Sequence, residues 1–359
     1  MEQEDSSRER LHARIEEWRR RPMRLHDDVI TSAHGAGGKA SQALLNSVIF
    51  PAFEMVGAAM DGAVLKCDPD HDLVVTTDSF VVTPRRFPGG SIARLAVNGS
   101  INDLAVMGAT PRWMTVAFVI EEGFEIQEFR ELVAELALAA VDAGVAIVTG
   151  DTKVVGRGAA DGIYVTTTGV GTRARHIKID PDAVRAGDSV IVSGTLGDHG
   201  IAVLQARGEL DISSNITSDC APLHTLVEAL LTSGANTRWM RDPTRGGVAS
   251  SLNELAMDTE LGVRLNETSL PISRTVRGVC ELLGLDPLYV ANEGKLLAVV
   301  SSETADTALE ALKAHPFGRD SAVIGEITSE NPGIVVLETL FGGTRVVDML
   351  VGDPLPRIC

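Results

Sequence analysis

Asp61, Asp78, Asp103 and Asp151 each stand where a carboxylate needs a reason. Asp61 opens an Asp-Gly-Ala-Val turn. Asp78 and Asp151 each close a run rich in Val, Ile and Thr, and Asp103 interrupts a helical pattern of small apolar residues. A carboxylate in such surroundings is costly to bury unless it is paired or bound to a cation. Taken singly, these are also ordinary N-cap or turn positions. Gathered in one crevice they would repel one another, and a magnesium ion carrying nucleotide phosphates would relieve that repulsion.

Other segments add to this chemistry. His34-Gly35-Ala36-Gly37-Gly38-Lys39 offers backbone amides that can surround phosphate oxygens, and a lysine charge. Its spacing is not that of a P-loop, and a glycine cluster is also simply a flexible loop. Arg241-Asp242-Pro243-Thr244-Arg245-Gly246-Gly247 precedes a helical pattern and reads either as a capping turn or as a second anion or metal contact. Glu293, in Ala291–Lys295, lies at the mouth of an apolar strand, where a lone glutamate is most often solvated. Cys359, the last residue, follows Pro354 and Pro356, which brace an extended arm with a thiol at its tip. It is not a prenylation signal, which needs the cysteine four from the end. The terminal carboxylate should raise the thiol pKa, with Arg357 partly offsetting it.

These groups must be held by an α/β framework. Strand signals fall at Leu73–Thr77, Thr115–Ile120, Ala146–Thr149 and Ile163–Val170, and helical patterns at 90–107 and 126–143. Charges, Pro181 and Gly187 cluster between Arg173 and Asp188, so two units are expected, at 24–178 and 179–345. The second carries strands near 189–193, 295–300 and 333–337 and helices near 199–207, 222–232, 246–257 and 304–314. Residues 1–23 read as a charged extension and 346–359 as a mobile tail.

The net charge of −17 argues against nucleic acid as a general partner, since an acidic body repels phosphate backbones. Leu132–Val148, the best candidate for an apolar span, is broken by Glu135 and Asp142, so no membrane segment is expected. No signal peptide is read. The cysteines Cys67, Cys220, Cys280 and Cys359 form no CxxC pair, which fits reduced thiols in the cytoplasm rather than a zinc site.

In this order the motifs resemble the HypE family of hydrogenase expression/formation proteins. That family lies within the wider superfamily of aminoimidazole ribonucleotide synthetase, selenophosphate synthetase and thiamine-monophosphate kinase. The resemblance covers residues 25–359. It runs through His34–Lys39, Thr77-Asp78-Ser79-Phe80-Val81-Val82, Asn102–Ala109, Thr149-Gly150-Asp151-Thr152-Lys153-Val154-Val155, Ser193–Gly200, Arg241–Gly247, Ala291–Lys295 and the closing Pro356-Arg357-Ile358-Cys359. The last motif discriminates most, because sister enzymes share the ATP-site pattern but not this end. The charged leader is extra, and Lys39 stands where many relatives carry Arg.

The resemblance implies a two-domain aminoimidazole ribonucleotide synthetase-like fold: an N-terminal ATP-binding domain with a dimer-forming sheet, a C-terminal α/β domain and a flexible tail. It implies that a HypF-type partner carbamoylates Cys359, that ATP drives dehydration of the thiocarbamate to a thiocyanate, and that the cyano group passes to iron on a HypC–HypD complex. It places nucleotide contacts at Gly37, Gly38, Lys39, Asp78, Ser79, Phe80, Asn102, Gly150, Asp151, Thr152 and Arg245. Mg²⁺ falls to Asp61, Asp78, Asp103, Asp151 and Asp242, and proton handling to Lys153 and Glu293. A homodimer with the nucleotide near the junction is expected. The rivals are a selenophosphate synthetase-like enzyme, which usually needs a cysteine in the Gly-rich loop, and a non-catalytic carrier of Cys359.

Overall fold

The computed structural model describes residues 38–44, 63–66, 70–208, 215–352 and 355–359. The extension at 1–23, Gly37 and Asp61 lie outside the described residues. Helix α1 spans Lys39–Leu44. A five-stranded sheet follows, built from β1 (Ala63–Lys66), β2 (His71–Phe80), β5 (Thr110–Glu121), β6 (Ala146–Val155) and β7 (Ile163–Ala174) in the order β1-β2-β7-β5-β6. The short strands β3 (Arg86–Phe87) and β4 (Gly90–Ser91) form a separate ribbon. The β5–β6 pair is parallel and is bridged by helix α3 (Ile126–Asp142), while the other pairings are antiparallel.

Alternation in β7, buried at every second residue from Ile163 to Gly171, gives this sheet an inner and an outer face. Helix α2 (Ile92–Val106) lies on the inner face, capped by the Ser91 hydroxyl, which accepts the Arg94 N–H. Its small residues let it approach closely. A Cβ on Gly99 would sit 2.8 Å from the Phe80 ring.

The second sheet has seven strands: β8 (Ser189–Val192), β9 (Thr237–Arg241), β10 (Gly262–Asn266), β11 (Leu297–Val300), β12 (Ala322–Thr328), β13 (Val335–Glu338) and β14 (Thr344–Val347). Their order is β14-β13-β10-β12-β8-β11-β9. Helices α4 (Asp198–Ala206), α5 (His224–Thr232), α6 (Gly247–Thr259), α7 (Arg274–Leu283) and α8 (Ala305–Ala314) complete the chain. Val248, Leu252 and Leu255 of α6 share a core with Val263, Leu265 and Val299. Leu226 and Leu230 of α5 share another with Leu312 of α8, and Ala105 and Val106 of α2 join it, so the two units meet through apolar contact.

Several expectations are adjusted. Strand β2 continues past Asp78 to Phe80, and Asp151 lies within β6 rather than at its end. Val346 and Val347 belong to β14, so the tail starts later than 346. The pattern of apolar residues does not single out β9, β10, β12 or α7. Arg238, Arg241, Arg264 and Glu326 occupy those strands, and three of them make cross-strand or strand-to-helix ion pairs: Arg264 with Glu326, and Arg241 with Glu254. Among the described residues, no helix is long and apolar enough to cross a membrane.

Candidate active site

The loop from Ala291 to Lys295 enters β11 and is pinned on every side. Asn292 donates to the carbonyls of Pro243 and Val290, each at 3.1 Å, and accepts the Gly197 N–H at 2.8 Å. A Cβ on Gly294 would lie 1.8 Å from the Asp219 carbonyl oxygen, so only glycine passes there. The Glu293 N–H donates to Asp219 Oδ1 at 3.0 Å. The Glu293 side chain is buried, and its Oε1 has no hydrogen-bond partner among the described residues. Burial raises its pKa well above the usual carboxylate value, and repulsion by Asp242, Asp219 and Asp78 adds to this, while Arg245 opposes it. Lys295 Nζ lies 3.3 Å from Asp219 Oδ2, close enough to neutralise it but not aligned as a hydrogen bond.

The first sheet supplies the other wall. Asp78 pairs with Thr167, whose hydroxyl donates to the Ala96 carbonyl of α2, so Asp78 shares the inner face. The Thr76 hydroxyl, two residues earlier on that face, donates to Asp103 Oδ2 at 2.6 Å. The pleat sends Asp151 and Lys153 elsewhere. Val116 pairs with the inward Thr167 and with Gly150, while Ala117 and Val119 pair with Asp151 and Lys153, which puts those two on the outer face. There they pair with each other at 2.8 Å.

The end of the chain is docked. A terminal carboxylate oxygen of Cys359 accepts the Val81 N–H at 3.1 Å and the Arg357 carbonyl accepts the Thr83 N–H at 3.2 Å, an antiparallel extension of the chain leaving β2. Leu355, Ile358 and Cys359 are buried in one core with Phe80, Ile201, Val276 and Val290. Arg357 adopts φ +55°, in the left-handed region, where a non-glycine residue is held only by its surroundings. Its guanidinium donates to the Val81 carbonyl at 3.1 Å and to Asp161. That bond holds the Asp161 carboxyl below the usual range. Arg207 Nε donates to the Thr83 carbonyl at 2.9 Å, and its Nη2 reaches the Arg357 carbonyl at 2.9 Å and the Pro356 carbonyl.

Residues 59–173 match the family model described as AIR synthase related protein, N-terminal domain, and residues 185–338 match its C-terminal counterpart. A carbamoyl dehydratase HypE of Rhodobacter capsulatus is 49% identical over 341 residues, covering 94% of this chain and 100% of its own. The chain belongs to the HypE family. Among solved structures, HypE in a HypE–HypF complex superposes with a TM-score of 0.81 at 42% identity, covering 86% of this chain and all of that one. A HypE in complex with ATP gives 0.77 at 40% identity, covering 92% of this chain and all of that one.

Within this family fold, the residues singled out from the sequence fall into three places. Asp78, Asp242 and Arg245 each act electrostatically on Glu293, and Asp103 accepts from Thr76, two residues before Asp78 in β2. Asp151, Lys153 and the exposed Ser79 lie on the outer face, where Ser79 Oγ meets Thr166 Oγ1 at 2.8 Å. Thr152 and Gly150 lie in the same strand, and a Cβ on Gly150 would stand 2.3 Å from the Val116 carbonyl oxygen.

The remaining residues make the following contacts. Lys39 Nζ pairs with Asp348 at 3.1 Å and its N–H donates to the Leu350 carbonyl. The Asn102 side chain is fully buried. Its amide donates to the carbonyls of Ala221 and Glu293 and accepts the Leu223 N–H, so it braces the two units. Phe80 is a core residue. Arg357 turns to Asp161 instead of the terminal carboxylate, and the arginine that holds the arm's carbonyls is Arg207.

Among the described residues, no group of three His, Cys, Asp or Glu side chains is spaced to hold a metal ion by itself. Sequence reasoning missed Asp219, Lys295, His199 and Arg207. Asp219 in Thr-Ser-Asp-Cys carries no local signal, whereas the buried position of His199 in Gly-Asp-His-Gly, at the start of an apolar helix, was a readable one.

Proposed function

We propose that this chain uses ATP to dehydrate a carbamoyl group carried on its own Cys359. The observation that carries the reading is a buried acid, Glu293, tied through Asp219 and its neighbour Ser218 to the seat of the arm that bears Cys359. The S-carbamoyl group, S–C(=O)–NH₂, has a poor leaving group in its oxygen. Transfer of the γ-phosphoryl group of ATP to that oxygen converts it into phosphate. Loss of phosphate and of two N–H protons leaves S–C≡N, with ADP and phosphate as the other products. Phosphoryl transfer is chiefly positioning and neutralisation of charge.

Glu293 is the base for an N–H proton. Its raised pKa makes it a stronger base once ionised, and its unpartnered Oε1 is open to a donor. Asp78, Asp103 and Asp242 are hard oxygen donors that suit Mg²⁺, and the excess of carboxylates around Glu293 is what a divalent cation would offset. Bound there, Mg²⁺ would neutralise charge on the nucleotide phosphates. Arg245 is the cation of this wall.

Asp151 and Lys153 reach the chemistry in a homodimer. They lie on the outer sheet face in the edge strand β6, where Ile147 and Val148 are exposed beside an apolar hollow of about 480 Å³. An unpaired apolar edge of this kind invites a second copy. A HypF-type carbamoyltransferase loads Cys359, and an iron-bearing HypC–HypD complex receives the cyano group, all in the cytoplasm.

The test is the mass of the C-terminal peptide of carbamoylated protein before and after ATP. Loss of one water is expected, and Cys359→Ala should abolish carbamoyl-dependent ATP consumption. Undiminished consumption by Cys359→Ala would refute a reaction on the chain's own thiol.

A further inference from the structure

His199 is fully buried at the first turn of α4 and makes a bond with each ring nitrogen. Nε2 lies 2.8 Å from the Ile358 carbonyl, which can only accept, so Nε2 carries the proton. Nδ1 lies 2.8 Å from Ser218 Oγ. That hydroxyl already accepts the Cys220 N–H at 3.0 Å, so its own proton goes to Nδ1. Burial depresses the His199 pKa, which suits this neutral, directional tautomer. The Phe87 ring, edge-on at 5.4 Å, sets the plane of the imidazole. The next residue, Gly200, leaves room for Leu355: a Cβ there would stand 3.3 Å from Leu355 Cδ1 and 2.4 Å from Val290 Cγ1. At the other end of α4, Arg207 grips the Pro356 and Arg357 carbonyls. One short helix therefore seats the whole arm.

We propose that His199 is a positioning residue for the sulfur of Cys359: its Nε2–H fixes the peptide joining Ile358 to Cys359, while Ser218 fixes the ring. The same loop, through Asp219, holds the backbone of Glu293, so the arm's depth and the base's position share one support. This rests on the reading in which Cys359 carries the reacting group.

Iodoacetamide alkylation of Cys359 in the full-length protein, followed on the C-terminal peptide by mass spectrometry, measures how often the arm leaves its seat. His199→Gln keeps an amide N–H near the Nε2 position, whereas His199→Asn keeps one only near Nδ1 and falls short of the arm. His199→Asn should alkylate about tenfold faster than wild type, the consequence of a buried carbonyl losing its donor, and His199→Gln should stay within about twofold. Equal rates in the two variants, both unchanged or both raised alike, would overturn the proposal. If His199→Asn does not fold, Ser218→Ala decides: the ring loses its orienting partner, and alkylation about threefold faster is expected, while unchanged protection refutes the latch. The dehydration reading is tested separately on wild type. A carbamoylated peptide that keeps its mass with ATP sinks that reading and leaves the alkylation result standing.

Discussion

Glu293→Gln should stabilise the ligand-free protein at neutral pH while removing its activity. Glu293 is buried, its Oε1 is unpartnered, and Asp242, Asp219 and Asp78 surround it with like charge. Well below its ordinary pKa of 4.5, Glu293 is protonated whether the chain is folded or not, and its burial carries little ionic penalty. Above that pH the unfolded carboxyl ionises while the folded one keeps its proton. The folded state binds the extra proton, so stability falls as pH rises, by about 1.4 kcal/mol per pH unit, until the raised folded pKa is reached. Glutamine has no proton to lose. The advantage of the variant should therefore be near zero at pH 4.5 and grow with that slope, then level off. For a chain of this length each kcal/mol moves the unfolding midpoint by about 2 °C. Paired thermal melts of wild type and variant from pH 5 to 8 read the difference directly, and carbamoyl-dependent ATP turnover should drop by at least about 10²-fold. A difference in midpoint that stays flat across this range, or a variant less stable at pH 8, would show that Glu293 is not the strained acid described here.

Two further substitutions probe the frame around it. Asn102→Ala removes three hydrogen bonds between α2 and the loops at 221–223 and 293. A loss of about 3 kcal/mol is expected in denaturant unfolding, and a change below about 1 kcal/mol would mean that the brace is dispensable. Gly294→Ala places a methyl group 1.8 Å from the Asp219 carbonyl, which must move and take the Glu293 N–H contact with it. Turnover should fall more than ATP affinity does, and an enzyme of wild-type rate would show that the loop can yield.

The sequence made the framework legible wherever burial was two-sided or strictly alternating. β7 and α2 are read easily because most of their inward residues are apolar or small. β10 and β12 hide because Arg264 and Glu326 sit opposite each other and mask the alternation. The acids of the site were visible as carboxylates in apolar company, but their sidedness was not. Which face Asp151 and Lys153 occupy depends on a register shift between Met114 and Thr115, a property of pairing rather than of composition. Asn102 is legible in the same partial way: that its side chain braces two loops follows from contacts made by distant segments. Asp219 matters only because distant segments meet, and no local pattern reports such a meeting.

The seating of Cys359 among apolar side chains has a chemical corollary. A thiocyanate is an electrophile that solution thiols attack, so a product left in the open would be stripped as it formed. With 6% of the residue exposed, the docked arm is also a shelter, and the nascent group meets no nucleophile until the arm departs. Departure, rather than bond-making, would then govern how much cargo survives to be handed on.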